Sequence, residues 1–253
     1  MGNVVWSDTT DFDTNKATEV AGSGTGWIGF LEALGRMESS SDYGEVNGSG
    51  YTGIYQWGDG LLADLHLSNG LLSELFGISD KEDLVKNPIA QELLAIMEFS
   101  GIPDLDSSRK FASRYTAVRN SLNISTANFD SLVDITFTII YQDANNTEVG
   151  RHENVTFSRE GISAAAHLIG ADRMADAMAE VYNACFNNTG TQTSSSVTLS
   201  TTGYADGNNI AFSSYVKLLD GKDISTLTSA ADGANFTQFN QFAQVREFRG
   251  HHT

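Results

Sequence analysis

The strongest constraint on how this chain folds lies between Gly26 and Gln56, GWIGFLEALGRMESSSDYGEVNGSGYTGIYQ, where a helical apolar period gives way to glycine-punctuated segments. Trp27, Ile28, Phe30, Leu31, Leu34 and Met37 recur at spacings of three and four, which predicts an amphipathic helix with one face in a core. Ser23 or Thr25 is placed to cap it. The period ends at Glu38-Ser39. The Glu38 carboxyl therefore falls on the last turn of a buried helix, where partial loss of water raises a carboxyl pKa and makes it an acid near neutral pH. Beyond it, Ser39 to Gly53 is rich in turn formers, and Tyr51, Ile54, Tyr55 and Trp57 bring apolar bulk between glycines. A short β-hairpin or extended loop beside a cleft is expected.

A chain of 253 residues with 40% apolar content can bury one sizeable core, or a core domain with a small accessory lobe. Its charge is lopsided: 32 acidic against 15 basic residues give −17, which argues against nucleic acid and anionic membrane as partners. The same charge opposes approach to other anionic polymers at low salt. At about 0.5 M ionic strength the screening length is roughly 4 to 5 Å and the opposition fades, so a salt-adapted setting suits this chain. Cys185 is the only cysteine, so no internal disulfide forms. The first residues lack the basic and apolar regions of a signal peptide, no run approaches a membrane span, and Trp6 stands where a myristoylation motif needs Ser or Thr. Synthesis in the cytoplasm is expected.

Taken in order, residues 1–24 form a polar lead-in. Asp11 to Asn15 resembles the start of a calcium loop without its glycine and terminal glutamate, so a solvated acidic loop is expected and no metal. Short helices are predicted at 59–67 and 71–76, then a capping box at Ser79-Asp80-Lys81-Glu82. Asn87-Pro88 supplies a cap and a first helical position for a helix through Leu93, Leu94, Ile96 and Met97. Residues 106–122 read as an amphipathic helix carrying Arg109, Lys110, Arg114 and Arg119, the only concentration of basic charge. At 132–142 the period becomes two, with Val133, Ile135, Phe137, Ile139 and Tyr141 alternating with other residues, and after a turn at 143–146 a partner strand returns at 149–157. Helices follow at 162–169 and 171–186, the second with a core stripe of Met174, Ala177, Met178, Val181 and Tyr182. The Ser/Thr-rich stretch 189–202 reads as a loop or exposed β-segment, 211–219 as a last helix, and 223–253 as a C-terminal extension without regular period. The class is mainly α, formally α+β.

Glu38-Ser39 followed by Gly50-Tyr51-Thr52-Gly53-Ile54-Tyr55-Gln56 resembles the soluble lytic transglycosylase and goose-type lysozyme group, which pairs a helix-end Glu-Ser with a downstream G-x-x-G-x-x-Gln segment. Glu45-Val46-Asn47 makes it similar to the variant in peptidoglycan-degrading domains of phage and secreted bacterial effectors. Two later segments fit: Ala164 to Ala171 lies where the family carries an Ala-Ala-Tyr-Asn-Ala-Gly helix, and Asp206-Gly207-Asn208 with Tyr215 resembles a late loop and helix. His167 stands where the family has Tyr, and Leu168 where it has Asn. The resemblance implies a lysozyme-like helical domain over 25–222, with a small β-part beside the cleft and an inserted hairpin at about 125–158. It also implies cleavage of the β-1,4 bond between N-acetylmuramic acid and N-acetylglucosamine. In the family the Glu acts as acid and then as base on the substrate's own hydroxyl, closing a 1,6-anhydro ring, with no cofactor. The implied partners are glycan strands of peptidoglycan, an immunity protein, and a secretion machine or phage particle that delivers the chain to the periplasm or wall.

Hydrolysis instead needs a second carboxylate across the sugar, for which Glu45, Asp42 and Asp59 are the candidates; all three also read as ordinary loop charges. Ser39 either orients the site and binds sugar or caps the following turn. Gly50 and Gly53 suit close backbone approach or positive φ. Tyr51, Tyr55 and Gln56 could stack on or hydrogen-bond sugar, with one of the tyrosines expected in the core. His167 could hydrogen-bond Glu38 as a neutral imidazole, or be a satisfied core histidine. The rival readings are a non-catalytic glycan-binding or particle-structural module, and a hydrolytic or chitinase-like enzyme.

Overall fold

The computed structural model describes residues 26–64, 73, 76–101, 112–201, 203–204, 210–222 and 224. Among the described residues are nine helices and one three-stranded sheet, a mixed and mainly helical α+β fold as the periodicities predict. The chain divides into two compact units, one built on residues 22–113 and the other on 114–222. The expected caps Ser23 and Thr25, the helix at 71–76 except for single residues, residues 102–111, Asp206 to Asn208 and nearly all of the C-terminal extension lie outside the described residues.

The first unit holds α1 (Gly26–Ser39), α2 (Asp59–Asp64), α3 (Lys81–Val85) and α4 (Pro88–Ser100). Helix α1 buries Phe30, Leu31 and Leu34 with the small Gly29, Ala33 and Gly35. The buried stripe is narrower than the apolar pattern: Ile28 is 37% exposed, because it stands roughly 120° around the helix from Leu34. The helix ends where Ser40 and Ser41 take φ of 57° and 69°, their amides bonding back to the carbonyls of Arg36 and Gly35.

Helix α4 begins as its sequence predicts, with Asn87 accepting from the Ala90 amide at 3.0 Å and Pro88 in the first turn. Every residue from Ala90 to Phe99 is buried, as expected of a helix enclosed on all sides. Phe99 meets Phe30 of α1 edge to face, ring centroids 4.8 Å apart, a pairing that adds about 0.5–1.5 kcal/mol beyond burial. The capping box before α3 is shifted by one residue. Asp80, not Ser79, is the cap, accepting from the Asp83 amide, while the Asp83 carboxylate reaches back to the Ser79 amide and hydroxyl.

The second unit holds α5 (Arg114–Asn120), α6 (Thr126–Asp130), β1 (Thr136–Gln142), β2 (Glu148–Thr156), α7 (Arg159–Ile169), α8 (Ala171–Cys185), β3 (Ser196–Ser200) and α9 (Phe212–Leu219). The predicted hairpin forms as β1 antiparallel to β2, with Phe137, Ile139 and Tyr141 turned into the core. It does not stand alone. Strand β3 runs parallel to β1 on its other side, Ile139 opposite Val197, giving the order β2-β1-β3 and making the Ser/Thr-rich stretch part of the sheet. Its alternating buried Val197 and Leu199 are the physical reason. Helix α7 approaches α9 at Gly161, where a Cβ would stand 2.6 Å from the Val216 carbonyl oxygen. Inside the unit the Tyr141 hydroxyl and His152 Nδ1 share the Ser213 hydroxyl, and burial pushes the Tyr141 phenol well above its ordinary range.

Candidate functional site

Glu38 lies one turn beyond Leu34 on α1, which turns it toward the same side of the helix, and it is half-buried at the point where the helix unwinds. The next residue ties this point to the glycine-punctuated segment. The Ser39 hydroxyl donates to the Ile54 carbonyl at 2.9 Å and accepts from the Asp42 amide at 3.0 Å, so it both caps the following turn and fastens the end of α1 to residues 50–56.

That segment is a pair of tight antiparallel bridges centred on Thr52, which pairs with Val46 on one side and Trp57 on the other. Asn47 shapes its tip by accepting from the amides of Ser49 and Tyr51. Gly50, Gly53 and Gln56 all take positive φ, of 81°, 79° and 51°. At Gly53 glycine is required twice over, since a Cβ would also stand 2.4 Å from Oε1 of Gln91. Ser40, Ser41 and Gln56 are three of six described non-glycine residues with positive φ; the others, Asp134, Asn146 and Asn154, lie in the second unit.

The candidate residues separate once placed. Tyr51 is 47% exposed and its ring lies over Gly58, leaving it available to a ligand. Tyr55 is the tyrosine that belongs to the core: it is fully enclosed, and its hydroxyl donates to Glu92 at 2.8 Å. Gln56 is buried and turns its amide inward, donating to the Gly53 carbonyl at 2.8 Å. Asp42 accepts from the Gly44 amide, and the Glu45 carbonyl accepts from the Gly53 amide. Asp59 opens α2 and pairs with Lys81 at 2.6 Å, whose ammonium also donates to the Gly50 carbonyl. His167 lies in the other unit, half-buried in the last turn of α7.

Three buried polar residues on α4 hold this segment from below, and the sequence reading did not single them out. Gln91 accepts from the Ile54 amide at 2.8 Å and donates to the carbonyls of Tyr43 and Leu84, both at 2.9 Å. Glu92 accepts from the hydroxyls of Tyr43 at 2.6 Å and Tyr55 at 2.8 Å. Glu98 accepts from the Trp57 indole at 2.9 Å. All three are at most 1% exposed. A signal existed in the apolar run around them: a helix enclosed on all sides must hydrogen-bond every polar side chain it carries.

Among the described residues no group of three or more His, Cys, Asp or Glu is arranged to hold a metal, and no helix is long and apolar enough to cross a membrane. Compared with known proteins, the chain matches no family model, no curated protein and no solved structure.

Proposed function

We propose that this chain is a peptidoglycan-cleaving muramidase, acting as a lytic transglycosylase on the bond between N-acetylmuramic acid and N-acetylglucosamine. Glu38 is its acid and then its base. The observation that carries the reading is the Ser39 to Ile54 hydrogen bond. It joins the Glu-Ser helix end to the Gly-x-x-Gly-x-x-Gln segment, the two pieces on which the family resemblance rests. Glu38 is half-buried, as an acid that must hold its proton near neutral pH requires, and Tyr51 is exposed, as an aromatic that stacks on sugar requires. Asp59 is engaged by Lys81 and Asp42 accepts within its own turn, which leaves Glu45 as the second carboxylate that a hydrolytic route would use, whereas the lytic route needs none. The setting that suits the reading is a bacterial antagonism effector or a phage lysis or tail component.

A glycan-binding module is the second reading. It is favoured by the inward turn of Tyr55 and Gln56, which leaves Tyr51 as the exposed aromatic of the segment. The test is mass spectrometry of fragments released from purified peptidoglycan by the native chain and by Glu38→Gln. The reading expects products one water lighter than ordinary muropeptides, reduced about 10²–10⁴-fold in the variant. Full-mass reducing ends mean hydrolysis. Binding without release by either protein leaves the module.

A further inference from the structure

The α4 contacts bear on how such an acid is held, and this step rests on the reading of Glu38 as the acid. We infer that Gln91 is a positioning residue for Glu38, acting through Ile54 and Ser39. The backbone of Ile54 is gripped from two directions: its amide donates to Gln91 Oε1 at 2.8 Å, and its carbonyl accepts from the Ser39 hydroxyl at 2.9 Å. Ser39 directly follows Glu38, and its hydroxyl also accepts from the Asp42 amide. The other end of the Gln91 amide donates to the carbonyl of Tyr43, just past that turn. One buried side chain therefore touches both strands of chain that frame the end of α1.

The identity of the residue matters because its two ends do opposite jobs. Oε1 accepts from Ile54, while Nε2 uses both protons, on Tyr43 and Leu84. A glutamate of the same shape keeps the acceptor and turns a second oxygen on two carbonyls. An asparagine falls one methylene short. A methionine fills the space and bonds nothing. Gln91 is fully buried on a helix enclosed from Ala90 to Phe99, so it transmits the rigidity of that helix rather than adapting to the loop. Gly53 completes the grip by having no Cβ where Oε1 must pass. Catalytic geometry tolerates little drift, and a misplacement of about 1 Å costs about 10²-fold in rate.

Two readouts on the full chain decide the matter: backbone amide exchange, and steady-state kinetics of fragment release from purified peptidoglycan. In Gln91→Met, exchange rises about tenfold both at Ile54 and at the turn amide of Asp42, the effect of one lost hydrogen bond felt across the grip. Amides of α7 and α8 keep their native rates. The kcat falls about 10²-fold while KM stays within about twofold. Gln91→Glu regains part of the lost kcat, relative to the native chain at the same pH, as pH falls, because the protonated carboxyl restores one of the two donors. Ser39→Ala works from the opposite side and raises exchange at the Ile54 amide, which keeps the test decisive if Gln91→Met does not fold.

Unchanged exchange at Asp42 in Gln91→Met, unchanged exchange at Ile54 in Ser39→Ala, or a loss confined to KM overturns the inference. If the native chain releases no fragments, the muramidase reading fails. Exchange alone then decides whether Gln91 positions the end of α1, so the two failures are told apart.

Discussion

The Ser39 hydroxyl donates to the carbonyl of Ile54, fifteen residues away in sequence, at 2.9 Å. This bond converts two local patterns, a helix end and a glycine-punctuated turn, into one assembly. It also fixes the direction in which α1 ends, since the same oxygen accepts from the Asp42 amide.

Ser39→Ala removes both interactions at a half-buried position. The expected cost is about 1–2 kcal/mol in a denaturant titration, with fragment release falling further than stability accounts for at a temperature where the variant is folded. Loss of activity that tracks only the unfolded fraction would contradict this.

The two glycines of the segment should respond differently. Gly50→Ala meets only its positive φ, since the nearest atom to an added Cβ is the Lys81 ammonium at 4.0 Å. It should cost about 1 kcal/mol. Gly53→Ala adds the approach to Gln91 Oε1 and should cost about 2–4 kcal/mol. Equal unfolding midpoints for the two variants would show that Gln91 gives way freely.

Trp57→Phe keeps most of the buried ring but takes the indole donor from Glu98, which is fully enclosed. Depriving a buried carboxylate of a donor costs about 1–3 kcal/mol, to be read from the denaturation midpoint. Trp57→Phe made in a chain that already carries Glu98→Gln should cost less than Trp57→Phe alone, and an equal cost would point to packing instead.

A pH effect is expected in the β1–β2 turn. Hydrogen bonds from the backbone amides of Thr147 and Asn145 hold the Asp143 carboxyl below its ordinary value. A depressed folded pKa favours the fold above the unfolded value, and that contribution disappears as pH falls through the folded one. Asp143→Asn should therefore melt below the native chain at pH 7, and the gap should close as pH drops below 3.8. A gap that persists at pH 2 would mean that charge is not its source.

Much of this architecture was legible because it rests on local rules. The Asn87-Pro88 start of α4, the alternation that became β1 and β2, and the Met174 to Tyr182 stripe of α8 all depend on periodicity and capping within a few residues. What local pattern left open or missed depends on distant partners. Of the two readings of the Ser/Thr-rich stretch, the β-segment is the one that forms, because β1 presents a free edge to Ser196–Ser200, and Ile28 faces out because α1 buries a narrower stripe than its apolar residues offer.

By itself, then, the sequence determined the mainly helical class, most of the helices, the β1–β2 hairpin and the two motifs that make Glu38 a candidate acid, since each follows from spacing along the chain. The helix expected over 106–122 is non-helical at 112–113 and begins as α5 at Arg114, and the short α6 had no such signal. Only the tertiary structure decided that Tyr51 faces out while Tyr55 and Gln56 face in, and that Gln91, Glu92 and Glu98 hold the segment. The reason is that a buried polar group must find its partner wherever the fold brings one. For Ile54 that partner lies 37 residues downstream, beyond the reach of any local pattern.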